Sequence, residues 1–265
     1  MSSSLFHQIV FGPVQSRRLG VSLGVNLLPT HGKWCNFNCI YCECGWNEEE
    51  RGRLNKDGKR IPSTREVSQA LAEKLSEMAR LQTLPDVITF SGNGEPTLHP
   101  DFKGIIKETL SLRSQYAPNA KVCVLSNATQ LGRPDVFEAL LMVDKRILKV
   151  DSPFSETIYK INQPTTPFTL SDTINYLKRF HGDFVLQTLF LRGLHHGSII
   201  DNTTPLELHA WLDLLLEIKP KEVMIYTIDR KTPAKELVKV PLSELESIGD
   251  SVRLLQRNIQ IHIAG

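Results

Sequence analysis

From residue 63 onward, short apolar runs alternate with stretches in which apolar residues recur every three or four positions. The runs have the length and composition of buried strands, and the periodic stretches have the spacing of one helix face. Capping boxes at Ser63-x-x-Glu66 and Thr204-x-x-Glu207 mark the starts of two of these helices. The pattern therefore predicts strands and helices that alternate along the chain.

Strands are predicted at residues 21–28, 87–90, 121–125, 145–150, 184–191, 222–227 and 259–263. Helices are predicted from residue 63 to a break at 85, at 101–112, 134–142, 169–180 and 204–219, and from about 243. Near-continuous apolar strands in about six βα units are typical of a parallel sheet buried on both faces. We expect one α/β domain over residues 1–265, built as a barrel or as an open doubly wound sheet.

Charge and composition narrow the class of protein without naming a function. The 31 Lys and Arg residues nearly balance the 29 Asp and Glu residues, so the net charge of +2 gives no argument for nucleic-acid binding. No apolar run approaches the roughly 20 residues of a membrane span, and the first residues lack the pattern of a signal peptide. Residues 47–60 are rich in charge and are interpreted as a solvated surface loop. We expect a soluble protein of the reducing cytoplasm without a membrane partner.

Four of the five cysteines lie between positions 35 and 44. Cys35, Cys39 and Cys42 follow a C-x3-C-x2-C spacing, and Cys44 comes two residues later. Such clustering favours a metal centre over disulfides. Two centres fit: an iron–sulfur cluster on three thiolates with one metal position open, or a structural zinc ion completed by His31 or Cys44. Structural zinc ligands usually come as two separated pairs, which this chain lacks, so the spacing favours the cluster.

Polar residues and glycines follow the ends of successive predicted strands. Gly92-Asn-Gly-Glu95-Pro follows the second strand, residues 126–127 follow the third and residues 151–152 follow the fourth. In a barrel and in a doubly wound sheet alike, ligands bind at the carboxyl ends of the strands. The sequence therefore predicts a site at this edge, where glycines let the backbone approach a ligand and Glu95 can bind an ammonium group.

These segments resemble the radical SAM superfamily. The cysteine spacing, with Tyr41 before the last cysteine, is similar to the superfamily signature, and residues 92–96 are similar to its GGEP motif, with Asn93 in place of one glycine. The chain also resembles a short branch of this superfamily that is related to the catalytic domain of the tRNA wyosine-base synthase. This resemblance lies at residues 12–20, 94–100, 149–151, 161–164, 187–193 and 225–230. Wyosine synthases carry further cysteines that this chain lacks before Cys35, so wyosine synthesis itself is not expected.

The resemblance implies a partial (β/α)6 TIM-like barrel with a parallel sheet. It also implies one [4Fe-4S] cluster on Cys35, Cys39 and Cys42, with S-adenosylmethionine (SAM) on the fourth iron. The resemblance implies that Tyr41 lies near the adenine of SAM. It implies that Glu95 and the backbone of Asn93 and Gly94 bind the ammonium group. The ribose and the carboxylate would be bound by Ser126, Asn127, Asp151 and Ser152.

Other residues are assigned from their positions in the strands. Gln187 and Tyr226 are candidate cofactor contacts, with core packing as the alternative for each. Arg17, Arg18 and Arg192 are candidates for binding an anionic substrate. The sequence leaves open the roles of Lys33, Cys44 and Cys123.

The activity that the resemblance implies is that of a radical SAM iron–sulfur enzyme of the oxidoreductase type. Reductive cleavage of SAM would give a 5′-deoxyadenosyl radical that abstracts hydrogen from a substrate carbon. The electron would come from a flavodoxin- or ferredoxin-like donor, and the substrate is open among RNA, peptides and small metabolites. A radical-generating activase for a partner enzyme and a non-catalytic zinc protein are the alternatives.

Overall fold

The computed structural model describes residues 5–16, 20–47, 60–255 and 259–265. Residues 48–59 of the predicted surface loop lie outside these ranges, as do the candidate anion-binding residues Arg17 and Arg18. The chain divides into two compact units. The first comprises Met1–Cys35, Asn47–Ser126 and Gln130–Arg146, and the second comprises Asn36–Trp46, Asn127–Thr129 and Ile147–Gly265.

The first unit contains four strands in the order of the chain: β1 (Val10–Ser16), β2 (Gly20–Val25), β3 (Val87–Phe90) and β4 (Lys121–Ser126). Its helices are α1 (Thr64–Arg80), α2 (Phe102–Tyr116) and α3 (Pro134–Met142). Strands β2, β3 and β4 are parallel, whereas β1 pairs with β2 in antiparallel fashion. The sequence did not predict β1, because it contains Gly12 and Pro13, which are unfavourable in strand interiors. A register shift between Phe11 and Val14 accommodates them.

In this unit, one helix start is as predicted and one strand end is not. The capping box of α1 is formed, since Ser63 Oγ accepts from the Glu66 N–H and the Glu66 carboxylate accepts from the Ser63 N–H. Strand β2 ends before the predicted residue 28. There Asn26 bonds both the N–H and the carbonyl of Leu28, which takes the place of further strand pairing.

Parallel strands are β5 (Lys145–Lys149), β6 (Val185–Leu189), β9 (Glu222–Tyr226) and β11 (Gln260–Ala264), adjacent in that order. All of their residues except 145–146 belong to the second unit. A separate antiparallel sheet contains β7 (Leu191–His195), β8 (Ser198–Asp201) and β10 (Glu236–Lys239), with β7 in the middle. The helices are α4 (Ser155–Ile161), α5 (Leu170–Lys178), α6 (Pro205–Ile218) and α7 (Leu242–Leu255).

The predicted strand at residues 184–191 is in fact two strands in two sheets. Asn202 causes the break, because its side chain accepts from the Leu191 N–H at 2.8 Å and donates to the Leu189 carbonyl at 2.7 Å. The α/β class and the mostly parallel sheet are confirmed. The small antiparallel sheet and α4 were not predicted. No helix among the described residues is long and apolar enough to cross a membrane.

Candidate functional site

The cysteine loop is anchored at Ile40, between Cys39 and Cys42. The Ile40 side chain is fully buried in an apolar cluster of the second unit. Its N–H donates to the Ile161 carbonyl at 2.9 Å, and its carbonyl accepts from the Ala234 N–H at 3.1 Å. Both backbone groups of one loop residue are thus bonded to distant segments, which fixes the path of the backbone between two of the predicted ligands.

The segment at residues 92–96 pairs with the residue that precedes Cys35. The Trp34 N–H donates to the Asn93 carbonyl at 2.8 Å, and the Glu95 N–H donates to the Trp34 carbonyl at 3.2 Å. Gly94 has φ of +139°, and a Cβ there would lie 1.8 Å from the Trp34 carbonyl oxygen. Only glycine can occupy this position. The two sequence motifs are therefore joined through the backbone.

Glu95 is buried, with 2% of its surface exposed, and is held by hydrogen bonds. One carboxylate oxygen, Oε1, accepts from the Thr97 N–H at 3.1 Å, from the Thr97 hydroxyl at 2.5 Å and from the Ser126 hydroxyl at 2.8 Å. Such bonds stabilise the ionised carboxylate and fix its orientation. Ser126, predicted as a SAM contact, thus has a partner in Glu95.

Asn93, which replaces a glycine of the motif, has a structural role in the first unit. Its side chain accepts from the Phe6 N–H and donates to the carbonyls of Phe6 and Pro29, each at 2.8 Å. Its own N–H donates to the side chain of Asn26 at 3.1 Å. The sequence could not show this, because the partners lie 64, 67 and 87 residues away in the chain.

In the second unit, Asp151 is the centre of a buried polar network. Its Oδ2 accepts from the Tyr41 hydroxyl at 2.5 Å and from the Asn162 amide at 2.7 Å, and its Oδ1 accepts from the Leu189 N–H at 2.9 Å. The Asn202 amide donates to the Asp151 carbonyl at 2.8 Å. Two predicted contacts, Tyr41 and Asp151, are therefore brought together directly.

Lys149 supplies the positive charge of this network. Its Nζ lies 3.7 Å from Asp151 Oδ1, donates to the Tyr226 hydroxyl, and lies 4.6 Å and 4.8 Å from the ring centres of Tyr41 and Tyr226. Burial lowers the pKa of Lys149, but the charge of Asp151 outweighs it and the net pKa is raised. Burial and the nearby Asp151 raise the pKa of Tyr41 well above 10. The network thus contains an ammonium, a carboxylate and a neutral phenol.

Other predicted contacts lie in or near this network. Gln187 is paired in register with Lys149 on the neighbouring strand, so the two side chains project from the same face of the sheet. Asn127 and Asp151 line one recess of the second unit, together with Lys149 and Asn162. Tyr226 joins through its bond to Lys149. The second unit therefore gathers Tyr41, Asn127, Asp151, Gln187 and Tyr226 into one region.

Ser152 is engaged away from this region. Its hydroxyl donates to the Glu207 carboxylate at 2.7 Å and accepts from the Phe154 N–H at 3.0 Å, just before α4. Thr157 also donates to Glu207, at 2.5 Å. Burial raises the pKa of Glu207. Arg192, a candidate for binding an anionic substrate, is paired with Glu244.

Sequence reasoning assigned no role to Lys149 and Asn162. Both lie in segments that the resemblance singled out, at residues 149–151 and 161–164. The signal was present, because a lysine that follows buried apolar residues at the end of a strand and an asparagine at the end of a helix are polar groups that need partners. Their partners come from other segments and are visible only in the fold.

The five cysteines are thiols. Cys35 is buried, and Cys39 and Cys42 are partly exposed. Within the described residues, no group of three or more His, Cys, Asp or Glu side chains has the arrangement of a metal site. The case for the three cysteine ligands therefore rests on their chemistry and spacing, since thiolates are the ligands that iron–sulfur clusters require.

Comparison with known sequences identifies relatives along most of the chain. A UPF0026 protein of Helicobacter pylori is 32% identical over 238 residues, which are 86% of this chain and 68% of that protein. GTPase Obg of Brachyspira hyodysenteriae is 30% identical over 248 residues, which are 92% of this chain but only 33% of that protein. The chain thus spans a third of the Obg relative. It contains no Gly-x4-Gly-Lys-Ser/Thr phosphate-binding motif.

Solved structures share the fold at low sequence identity. A radical SAM methyltransferase of Sphaerobacter thermophilus has a TM-score of 0.63 and 12% identity, covering 91% of this chain and 65% of that one. SAM-bound SuiB of Streptococcus suis has a TM-score of 0.57 and 14% identity, covering 91% and 45%. Archaeal TYW1 has a TM-score of 0.51 and 12% identity, covering 88% and 71%. The radical SAM family model matches residues 30–201. This chain belongs to the radical SAM superfamily.

Proposed function

We propose that this chain is a radical SAM enzyme in which Cys35, Cys39 and Cys42 bind a [4Fe-4S] cluster and residues 92–96 bind the methionine part of SAM. The observation that supports this proposal most directly is the backbone pairing between Trp34 and Gly94. It attaches the turn that contains Glu95 to the residue next to the first cysteine. SAM would bind both to the cluster and, through its ammonium group, to Glu95. The cluster ligands and Glu95 must therefore lie side by side.

Membership of the superfamily supports the [4Fe-4S] cluster and SAM as the cofactors of this chain. When bound, they supply one-electron cleavage of the sulfonium C–S bond, which releases methionine and a 5′-deoxyadenosyl radical that takes a hydrogen atom from the substrate. The cysteines of the chain fit the cluster. Three thiols within eight residues can bind three of its four irons, which leaves the fourth iron for SAM.

The roles of the other residues follow from their contacts. Glu95 is oriented by Thr97 and Ser126 and would accept a charge-assisted hydrogen bond from the SAM ammonium. Asp151 would exchange its bond from Tyr41 or Asn162 for one from a ribose hydroxyl. Asn127, Gln187 and Tyr226 are proposed to line the remainder of the pocket. Gly94 allows the close backbone approach, whereas the side chains of Asn93 and Ser152 maintain the protein structure.

The redox setting follows from the same chemistry. We propose that a flavodoxin- or ferredoxin-like protein supplies the electron and that the enzyme acts in the reducing cytoplasm, where exposed thiols stay reduced. The buried apolar surroundings of the network would limit side reactions of a radical. The substrate is an RNA, a peptide or a small metabolite, and it gives up a hydrogen atom to the 5′-deoxyadenosyl radical.

The test is anaerobic reconstitution with iron and sulfide, followed by dithionite, SAM and measurement of 5′-deoxyadenosine. We expect a brown protein that forms 5′-deoxyadenosine, a Cys39→Ala variant that loses the cluster, and a Cys44→Ser variant that keeps it. The Cys44→Ser variant is a matched control from the same loop. A colourless protein that holds stoichiometric zinc and forms no 5′-deoxyadenosine would overturn the proposal. An intact cluster in Cys39→Ala would overturn the ligand assignment alone.

A further inference from the structure

The segment at residues 162–165, just after α4, is paired with the cysteine loop by its backbone. The Asn38 N–H donates to the Asn162 carbonyl at 2.8 Å, and the Thr165 N–H donates to the Asn36 carbonyl at 2.9 Å. Phe37 and Pro164 form an antiparallel bridge between these bonds. The family's metal loop thus has an antiparallel partner segment in the second unit. This pairing fixes the position of Asn162 relative to Cys39.

The side chain of Asn162 is buried, with 1% of its surface exposed, and points at the sulfur of Cys39. Its Nδ2 lies 3.4 Å from Cys39 Sγ, 3.1 Å from the Tyr41 hydroxyl and 2.7 Å from Asp151 Oδ2. Because the carboxylate of Asp151 only accepts, the NH2 side of the amide must face this group of atoms. The opposite oxygen, Oδ1, is buried and has no hydrogen-bond partner among the described residues. The amide orientation is therefore fixed by Asp151.

We propose that Asn162 donates an N–H···S hydrogen bond to Cys39 that raises the reduction potential of the cluster. Asn162 is a positioning residue, since it acts through the cysteine sulfur. The inference rests on the proposed function, because it takes Cys39 to be a cluster ligand. It concerns how readily the cluster accepts its electron, and it holds for any substrate.

The physical reason is the charge on sulfur. Reduction adds negative charge to the cluster and its thiolates, so a donor to sulfur stabilises the reduced form more than the oxidised form. Radical SAM chemistry begins with that reduction. The N–H of a neutral amide provides this stabilisation without adding a charged group beside the buried Asp151.

The geometry also contains a competitor. An amide has two N–H groups, and Nδ2 of Asn162 faces three acceptors: Asp151, Tyr41 and Cys39. The shortest contact uses one hydrogen for Asp151, so Tyr41 and Cys39 share the other. Removing the Tyr41 hydroxyl should therefore strengthen the bond to sulfur. Removing the amide should abolish it. The two substitutions are expected to shift the potential in opposite directions.

The experiment is an anaerobic redox titration of the reconstituted protein without SAM, followed by the electron paramagnetic resonance signal of the reduced cluster. For Asn162→Leu we expect the ratio of reduced to oxidised cluster at a fixed potential to fall about tenfold, which is ~59 mV for a one-electron couple. For Tyr41→Phe we expect the ratio to rise. Omission of SAM removes any effect of Tyr41 on the adenine.

Asn202→Ser is the matched control. Asn202 is equally buried and also bonds to Asp151, but its hydrogen bonds go to the backbone atoms of Asp151, Leu189 and Leu191. We expect this variant to lose stability and keep the wild-type potential.

The outcomes separate this inference from the proposed function. A wild-type protein that forms no cluster contradicts the proposed function. A wild-type cluster whose potential is unchanged in Asn162→Leu, or shifted equally in the control, contradicts the role of Asn162 alone. If Asn162→Leu binds no iron, the Tyr41→Phe variant is the test of the inference. A cluster reduction potential that is unchanged or lowered in Tyr41→Phe overturns it.

Discussion

The turn at residues 92–96 and the network around Asp151 are built in opposite ways. The turn belongs to the first unit and is held by backbone bonds to Trp34, with Gly94 packed against a carbonyl oxygen. The network belongs to the second unit and is held by side chains, with Lys149 and Tyr41 meeting Asp151. The first is fixed by backbone hydrogen bonds and close backbone packing, and the second by charge and side-chain hydrogen bonds.

This difference predicts different responses to substitution. A sterically fixed turn tolerates no added atom, however small. A polar network tolerates changes in shape but not the loss of one partner, because the other partner is then buried without compensation. Four substitutions test that distinction, beginning with the one that should destabilise the protein most.

Gly94→Ala should have the largest effect. The added Cβ would meet the Trp34 carbonyl at 1.8 Å in a backbone conformation that alanine avoids. We expect the free energy of unfolding to fall by ~4 kcal/mol or more. Gly197→Ala is the control, since Gly197 also has positive φ (+74°) but no atom within 4 Å of its Cβ position. It should lose only about 1 kcal/mol. Equal losses in urea unfolding would show that φ alone, and not the contact with Trp34, determines the turn.

Lys149→Met tests the network. It keeps much of the side-chain volume but removes the ammonium from beside Asp151, so we expect a loss of about 3 kcal/mol. In the double variant with Asp151→Asn, the unpaired charge is absent and the loss should be smaller than the sum of the two single losses. A double-mutant cycle in urea measures this coupling. Strict additivity would contradict a charge-based network.

Asn93→Gly restores the glycine of the family motif and tests whether Asn93 has the structural role described above. Phe6 and Pro29 would lose their side-chain partner, so we expect the free energy of unfolding to fall by about 2 kcal/mol. SAM binding should be retained, because the backbone of the turn is unchanged. Unaltered stability in thermal unfolding would argue against the role assigned to Asn93.

Glu207→Gln should have the smallest effect, visible as pH dependence. Burial raises the pKa of Glu207 above 4.5, so above pH 4.5 the folded protein retains a proton that the unfolded chain has lost. Stability therefore falls as pH rises from 4.5 through the folded-state pKa. Glutamine does not titrate and should remove this slope. Urea unfolding of both proteins across this range measures it, and identical slopes would count against the assignment.

The two regions also differ in how far they could be predicted from the sequence. Residues 92–96 are contiguous, so their glycines and Glu95 could be predicted as a candidate site before the fold was known. The network draws on residues 41, 149, 151, 162 and 226, which are far apart in the chain. Asp151 was predicted as a contact because it follows a strand, and Tyr41 because it lies within the cysteine motif. Lys149 and Asn162 were not assigned roles, because their partners are set by tertiary contacts.

The hydrophobic pattern predicted elements that depend on neighbouring residues and missed a strand break that depends on a more distant residue. Strand β3 and helix α3 were predicted with their observed bounds, since apolar runs and helix-start proline act within a few residues. The long strand at residues 184–191 was wrong as one element. A single side chain, Asn202, redirects it from eleven residues away. Periodicity does not encode such an event.

The anchoring of Ile40 bears on how the enzyme survives oxidative damage. Oxygen destroys exposed iron–sulfur clusters, and the protein must then either unfold or wait for repair. The bonds from Ile40 to Ile161 and Ala234 involve no thiol, so they do not require the iron in order to form. Without its iron, the molecule would keep the middle of its loop in place, with its cysteines positioned to bind a new cluster. Loss of the cluster would then be reversible, because the loop that binds it keeps its position.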